Sequence, residues 1–157
     1  MPIRFATLQD VPALVELGRQ MHAITRFRAL RFDGEQVRHA LEAALTKGQD
    51  RYVLLVAANA QGAVVGGLLA VLERHLFSQQ LTASIMHYDV LPQHRMGGYG
   101  LRLLKAFEQW CKNRAVVEIN FGINSGVETD RVGRFARKLG YQKTGENYVR
   151  SIGTDPP

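Results

Sequence analysis

The stretch Val90-Leu91-Pro92-Gln93-His94-Arg95-Met96-Gly97-Gly98-Tyr99-Gly100 decides how this chain is read. An apolar strand ends at a proline, a basic and glycine-rich turn follows, and the amphipathic run Leu101 to Arg114 starts a helix from that turn. Glycine lets the backbone approach a ligand closely. The first amides of a helix have no internal acceptor and carry the positive end of its dipole. A junction built this way suits an anionic phosphate.

Spacing separates the kinds of phosphate loop. A P-loop needs G-x-x-x-x-G-K-[ST], but no Lys follows Gly100 and no Ser or Thr stands where magnesium would be held. A Rossmann fingerprint needs G-x-G-x-x-G, and Gly98-Tyr99-Gly100-Leu101-Arg102-Leu103 has Leu at the third glycine. What remains is R-x-x-G-x-G, Arg95 to Gly100, preceded by V-x-P and followed by Leu103-Leu104.

Working outward, strands and helices alternate. Ile3 to Ala6 reads as a short strand, and Thr7 with Asp10 resembles a helix start. Val11, Leu14, Val15, Gly18 and Met21 follow helical spacing to about Ala23. Asp33 with Gln36 opens a second helix, with Val37, Leu41, Ala44 and Leu45 on its apolar face and Gly48 as its stop. Tyr52 to Ala58 and Ala63 to Leu72 are nearly continuous apolar runs joined by Asn59-Ala60-Gln61-Gly62, the pattern of a hairpin covered on both faces. Gly66 and Gly67 within it predict a bulge or a close backbone approach. Leu81 to Leu91 is the strand that enters the glycine turn. After the long helix, Ala115 to Phe121 reads as a strand and Glu128 to Leu139 as a helix stopped by Gly140, and Tyr141 to Ile152 is expected to close the sheet as a strand or hairpin. The pattern predicts a three-layer α/β/α sandwich with a mixed central sheet.

At 157 residues, with 46% apolar and 22% charged residues, the chain is expected to form one domain, residues 1–157. Its longest apolar runs fall short of the roughly 20 residues that span a bilayer, and the N-terminus lacks the apolar core of a secretory signal. A cytoplasmic, membrane-free protein is the expectation. Cys111 is the only cysteine, so neither an intrachain disulfide nor a thiolate metal cluster is available, and its place among apolar helix positions reads as an inert buried thiol. No metal is expected. The net charge of +6 favours anionic partners without naming one. Arg26-Phe27-Arg28-Ala29-Leu30-Arg31-Phe32 alternates basic and bulky residues, as a surface for single-stranded nucleic acid would. That reading is set below a loop that plugs Phe27 and Phe32 into the core or lines a substrate cleft. Arg131, Arg134, Arg137 and Lys138 read as a solvated helix face.

The motif Arg95 to Gly100, with V-x-P before it and Leu139-Gly140-Tyr141 some 40 residues later, resembles the GNAT-superfamily N-acetyltransferases. Ile3 to Met21 is similar to that family's opening strand and helix, and Ala63 to Ala70 to its central strand. The resemblance implies the GNAT-like acyl-CoA N-acyltransferase fold, with acetyl-CoA or a related acyl-CoA as co-substrate and an amine as acceptor. It implies that the amides of Met96, Gly97, Gly98, Tyr99, Gly100 and Leu101 cradle the pyrophosphate, with Arg95 as the basic residue. The strand end, Asp89 with Val90 and Leu91, would lie along the pantetheine arm in the manner of an added strand. An amide near Val90 would donate to the oxyanion of the tetrahedral intermediate. Thr129 stands where many members carry a cofactor-binding Asn. Homodimers are common in the family, which makes a second copy a candidate partner.

The likeness departs at the catalytic acid. Many members carry Leu-Tyr-x-Lys-Leu-Gly before the last strands, and here the Tyr position is Ala136. A thiol of pKa about 8.5 leaving at pH 7 needs a proton by only about 2 kcal/mol, whereas a lysine-like amine must lose one against roughly 4.6 kcal/mol. The base therefore matters more. Period-2 alternation places Ile85, His87, Asp89 and Leu91 on one face and Ser84, Met86, Tyr88 and Val90 on the other. An imidazole is suited to accept a proton near neutrality, which makes His87 the candidate base, with Asp89 to orient it. Tyr88, Tyr99 and Tyr148 are candidate replacement acids. Phe27, Arg28, Arg31 and Phe32 lie in the segment that borders the acceptor site in this family, and their arginines favour an acceptor carrying a carboxylate or phosphate. Two functions remain open: an acyl-CoA-dependent N-acetyltransferase using a primary amine of a small molecule or protein, and a non-catalytic CoA-binding or regulatory module on the same fold.

Overall fold

The computed structural model describes residues 2–153. Five strands and four helices alternate as β1 (Ile3–Phe5), α1 (Val11–Ile24), α2 (Gly34–Thr46), β2 (Tyr52–Ala58), β3 (Val64–Arg74), β4 (Leu81–Val90), α3 (Tyr99–Asn113), β5 (Glu118–Phe121) and α4 (Thr129–Lys138). The strands form one sheet in sequence order. The first four are antiparallel, and α3 carries the chain over so that β5 lies parallel to β4. None of the helices among the described residues is long and apolar enough to cross a membrane.

The near-continuous apolar runs of β2 and β3 follow from a sheet covered on both faces. Val53, Leu55, Ala57, Leu68 and Ala70 pack against Leu103, Leu104, Phe107, Trp110 and Cys111 of α3. Leu54 and Val56 turn the other way, toward Val11, Leu14, Leu17 and Met21 of α1 and Leu41 of α2. Phe135 of α4 and Leu139 just after it join the α3 side. The result is the expected three-layer sandwich around a mixed sheet. Leu17, absent from the sequence-predicted stripe, takes the buried position beside Gly18.

Local chemistry sets the helix ends. The Asp10 carboxylate accepts from the Thr7 N–H at 2.8 Å across the 3-10 turn Leu8–Asp10 that leads into α1, and the Asp33 side chain caps α2 by accepting from the Gln36 N–H. α4 ends in a Schellman turn: Gly140 has φ +94°, its N–H bonds to Arg137 O, and the Tyr141 N–H reaches Ala136 O. Both sequence expectations for Gly66 and Gly67 are met. A Cβ at Gly66 would lie 2.9 Å from Asp89 O and one at Gly67 3.2 Å from Leu14, while the β2–β3 register shifts beside them, between Ala57 and Ala58.

Three expectations are corrected. β5 starts at Glu118 rather than Ala115, because Arg114, Ala115 and Val116 turn their amides back to Cys111 and Lys112 at the end of α3. Residues 141–153 form no strand. The polar run Gln142 to Asn147 has no apolar face to bury, and its side chains bond locally, Lys143 to Glu146, or to the β5–α4 loop, Asn147 to Asn124. Tyr148, Val149 and Ile152 stay exposed. The third correction concerns the faces of β4. Leu69 pairs with His87 and Ala70 with Ile85, so Met86 is an extra, bulged residue. The bulge resets the alternation and turns Ile85 to the α3 side with Tyr88 and Val90.

Candidate functional site

The site is built where β4 outruns its neighbour. Pairing of β4 with β5 ends at Ile85 and Phe121, yet β4 continues five residues further along β3 to Val90. β5 ends at that pair, so the last five residues of β4 have no strand beside them on that edge among the described residues. Val90 sits opposite Gly66, and the Leu91 N–H bonds to Val65 O at 2.8 Å. In an antiparallel ladder this register makes Val90 and Gly66 a non-hydrogen-bonded pair. The N–H and C=O of Val90 consequently point away from β3 and into the gap that this leaves. Arg95 Nε donates to Val90 O at 3.1 Å, which fastens the turn to the strand end and leaves the Val90 N–H directed into the opening.

A six-residue 3-10 turn, Pro92–Gly97, then leads to α3. Gly98 is its hinge and the N-cap of the helix, at φ +76°, a conformation that a side chain disfavours. The helix ladder opens with the Arg102 N–H on Gly98 O, so the amides of Tyr99, Gly100 and Leu101 are the unpaired first turn. Around them Arg95 and Met96 are exposed, Met96 at 93%. Gly100 is held at close quarters: a Cβ there would lie 3.0 Å from the Tyr88 hydroxyl oxygen, and that hydroxyl donates to Gly100 O. The geometry offers bare amides, the end of a helix dipole and two guanidinium groups at the mouth of a strand gap, which suits a diphosphate.

The second guanidinium belongs to Arg102, which sequence reasoning missed. Its side chain folds back to donate to Gly97 O at 3.1 Å and lies 5.5 Å from the Tyr99 ring centroid. The signal was present, since Arg102 stands one helical turn after Gly98 and faces the same end.

His87 and Asp89 share a face, that of Gly67 and Leu69, with His87 exposed and Asp89 half-buried. Burial pushes the Asp89 carboxyl above its ordinary range, against the opposing pull of His87 and Arg95. Tyr88 lies on the opposite face, edge-on to Phe121. Burial, with a smaller contribution from Tyr141, raises its hydroxyl well above the ordinary tyrosine value. Of the other tyrosines, Tyr99 packs near His94, and Tyr148 is exposed and bonded to Glu146.

The candidate acceptor residues stand together in the α1–α2 connection. Phe32 packs on His22 and under the Arg19 guanidinium at 4.7 Å. Phe27 is half-buried beneath Arg26. Arg28 and Arg31 are exposed, with Arg28 also bonded to Thr25 O. Arg26 ties the segment to the β5–α4 loop through its N–H on Ser125 O at 2.8 Å and its Nε on Asn124 O at 2.5 Å. Burial, with Glu108 adding to it, pushes the Cys111 thiol up to about 12, as expected of an inert core cysteine. A hollow of about 1010 Å³ opens at the other end of the sheet, lined by Glu73, Arg74, His75, Thr82, Glu118 and Asn120. It lies away from the glycine turn and brings none of the candidate residues together.

The family model described as acetyltransferase (GNAT) matches residues 19–141. The structure of a probable acetyltransferase superposes with a TM-score of 0.78 at 18% identity, covering 99% of this chain and 100% of that one. A Bacillus halodurans protein solved as a point mutant gives a TM-score of 0.80 at 21% identity, covering 97% and 99%. An aminoglycoside acetyltransferase from an uncultured soil metagenomic sample, solved with sisomicin, gives 0.71 at 20%, covering 96% and 95%. At these identities the likeness is one of fold. No curated relative matches the chain.

Proposed function

The chain belongs to the GNAT family of acetyltransferases, and from that premise we propose that it moves an acetyl group from acetyl-CoA to a primary amine of a small molecule or protein, by direct attack of the amine on the thioester. The observation that carries this reading is the open end of β4, where the Val90 N–H points into a strand gap that ends at an R-x-x-G-x-G turn. The residues fit the co-substrate. The amides of Tyr99, Gly100 and Leu101 would take the pyrophosphate, with Arg95 and Arg102 as counter-charges. The pantetheine arm would lie along Asp89, Val90 and Leu91, bringing the thioester oxygen to the Val90 N–H.

Proton removal is assigned to His87, directly or through a water, with Asp89 beside it to orient the ring and stabilise its charged form. Phe27, Arg28, Arg31 and Phe32 border the acceptor, and exposed Arg28 suits one that carries a carboxylate or phosphate besides its amine. The fold shared with an aminoglycoside acetyltransferase makes polyamine-like small molecules a second class for the panel.

Ala136 supports a second reading, a CoA-binding or regulatory module without turnover. The residue is 8% exposed and offers no proton donor where the family carries tyrosine. A coupled thiol-release assay across a panel of amines separates the two. Release that depends on one class of amine supports the transferase. Saturable coenzyme A binding with no release for any amine supports the module, and absence of coenzyme A binding overturns both.

A further inference from the structure

We propose that Tyr88 is a positioning residue for the pyrophosphate cradle: its hydroxyl is a strut between β4 and the first turn of α3 that sets the direction of the amides at Tyr99, Gly100 and Leu101. The proposal rests on the acetyl-CoA reading above.

Three observations converge on this. The Tyr88 hydroxyl donates to the carbonyl of Gly100, a residue in the unpaired first turn. Peptide groups are rigid, so fixing that carbonyl fixes the plane that carries the Leu101 N–H. The ring cannot swing away, because Phe121 stands edge-on to it at 5.6 Å and Tyr141 stands edge-on to Phe121 at 5.5 Å. This aromatic row packs on the α3 side of the sheet where pairing of β4 with β5 ends. Finally, the space at Gly100 is cut to the hydroxyl, since a Cβ would meet it at 3.0 Å. Glycine at this point of the motif is therefore matched to Tyr88, in addition to leaving room for a ligand.

The strut complements the Arg95 Nε bond to Val90 O. One ties the turn to the strand end and the other ties the helix start to the strand two residues earlier, so the cradle is held to β4 at two separate points. A hydroxyl committed to a backbone acceptor, on the face opposite His87 and Asp89, serves geometry rather than proton donation to a leaving thiolate.

Calorimetric titration of coenzyme A into the full-length protein tests the assignment. Tyr88→Phe keeps the ring and removes one hydrogen bond, and the Kd for coenzyme A should rise by about two- to twelvefold at most. The loss should appear in KM for acetyl-CoA, with kcat at saturation and its pH profile retained. Gly100→Ala should weaken binding in the wild-type background and cost clearly less when combined with Tyr88→Phe, because the deleted oxygen is the one the new methyl meets. Gly100→Ala alone keeps the assignment testable if Tyr88→Phe is poorly folded, because its methyl meets the hydroxyl at 3.0 Å and should raise the Kd for coenzyme A by disturbing the strut. An unchanged Kd in Tyr88→Phe, or a kcat that falls with a shifted pH profile at constant Kd, overturns the strut and leaves the transferase reading standing. A wild-type protein that does not bind coenzyme A overturns that reading and the strut with it.

Discussion

At the scale of single residues, two aspartates with opposite shifts make opposite predictions. Asp10 is 7% exposed and accepts from Arg4 at 2.7 and 2.9 Å and from the Thr7 N–H at 2.8 Å. The Arg4 hydrogen bond is the main cause that holds its carboxyl below the usual range. A pKa lower in the folded than in the unfolded chain contributes stability above the unfolded value of about 3.9, and that contribution is lost as pH falls through the folded value. Asp10→Asn should thus cost about 1–2 kcal/mol at pH 7, moderated by the exposure of Arg4, and little in acid. Urea unfolding followed from pH 7 down to about pH 2 measures the difference, and a loss that stays the same over that range would reject the ionic account. For Asp89 the sign reverses. Burial raises its carboxyl, so its ionisation favours the unfolded chain as pH rises through the folded value. Asp89→Asn should raise the melting temperature at pH 7 and leave it unchanged below about pH 4. If Asp89 orients His87, the same variant should lower kcat. Stabilisation without loss of turnover would show Asp89 to be a buried group with no part in the chemistry.

At the scale of elements, the turn into α3 concentrates the constraints. Gly98 at φ +76° should cost about 1–2 kcal/mol when replaced by Ala. Because the strain falls on the N-cap, Gly98→Ala should lose coenzyme A affinity as well as melting temperature. Gly62 provides the control, with φ +82° in the β2–β3 turn and nothing within 4 Å of its Cβ position. Gly62→Ala should lower the melting temperature by a similar amount and leave coenzyme A binding as it was. The elements most readable from sequence were those whose periodicity is strong. α3 buries Leu103, Leu104, Phe107, Trp110 and Cys111 at helical spacing, and β2 and β3 read as strands covered twice. The bulge at Met86 had no such marker, since one extra residue within Ser84 to Val90 leaves the composition unchanged and is visible only from the partner strand. The late start of β5 depended on how α3 ends, through Ala115 at φ +57°, a geometry that alanine does not advertise. Among candidate site residues, the contiguous run Val90 to Leu101 was legible because its chemistry is local. Arg26 owes its place to loop packing 98 residues away, which no local pattern encodes.

At the scale of the whole molecule, that long reach links two connections far apart in the chain. Arg26 anchors the α1–α2 connection to Asn124 and Ser125, joining the segment that holds Phe27, Arg28, Arg31 and Phe32 to the loop after β5. Asn147 adds a second tie, to Asn124, so two distant segments of the chain meet on one loop. Gly126 belongs to the same junction, where a Cβ would press on the Arg26 side chain at 3.2 Å. Exposed backbone held by a few hydrogen bonds opens more readily than a packed core, and segments that share one fastening should open together. Arg26→Ala should therefore accelerate amide exchange in residues 25–32 and 122–128 in parallel, leaving β2 and β3 protected. In an active enzyme it should raise KM for the acceptor more than KM for acetyl-CoA, because the proposed cradle at Gly98 to Leu101 is fastened separately through Arg95 and Tyr88. Faster exchange in residues 25–32 alone would mean that the loop after β5 is held by other contacts, and equal rises in both KM values would mean that the two halves of the site share one support.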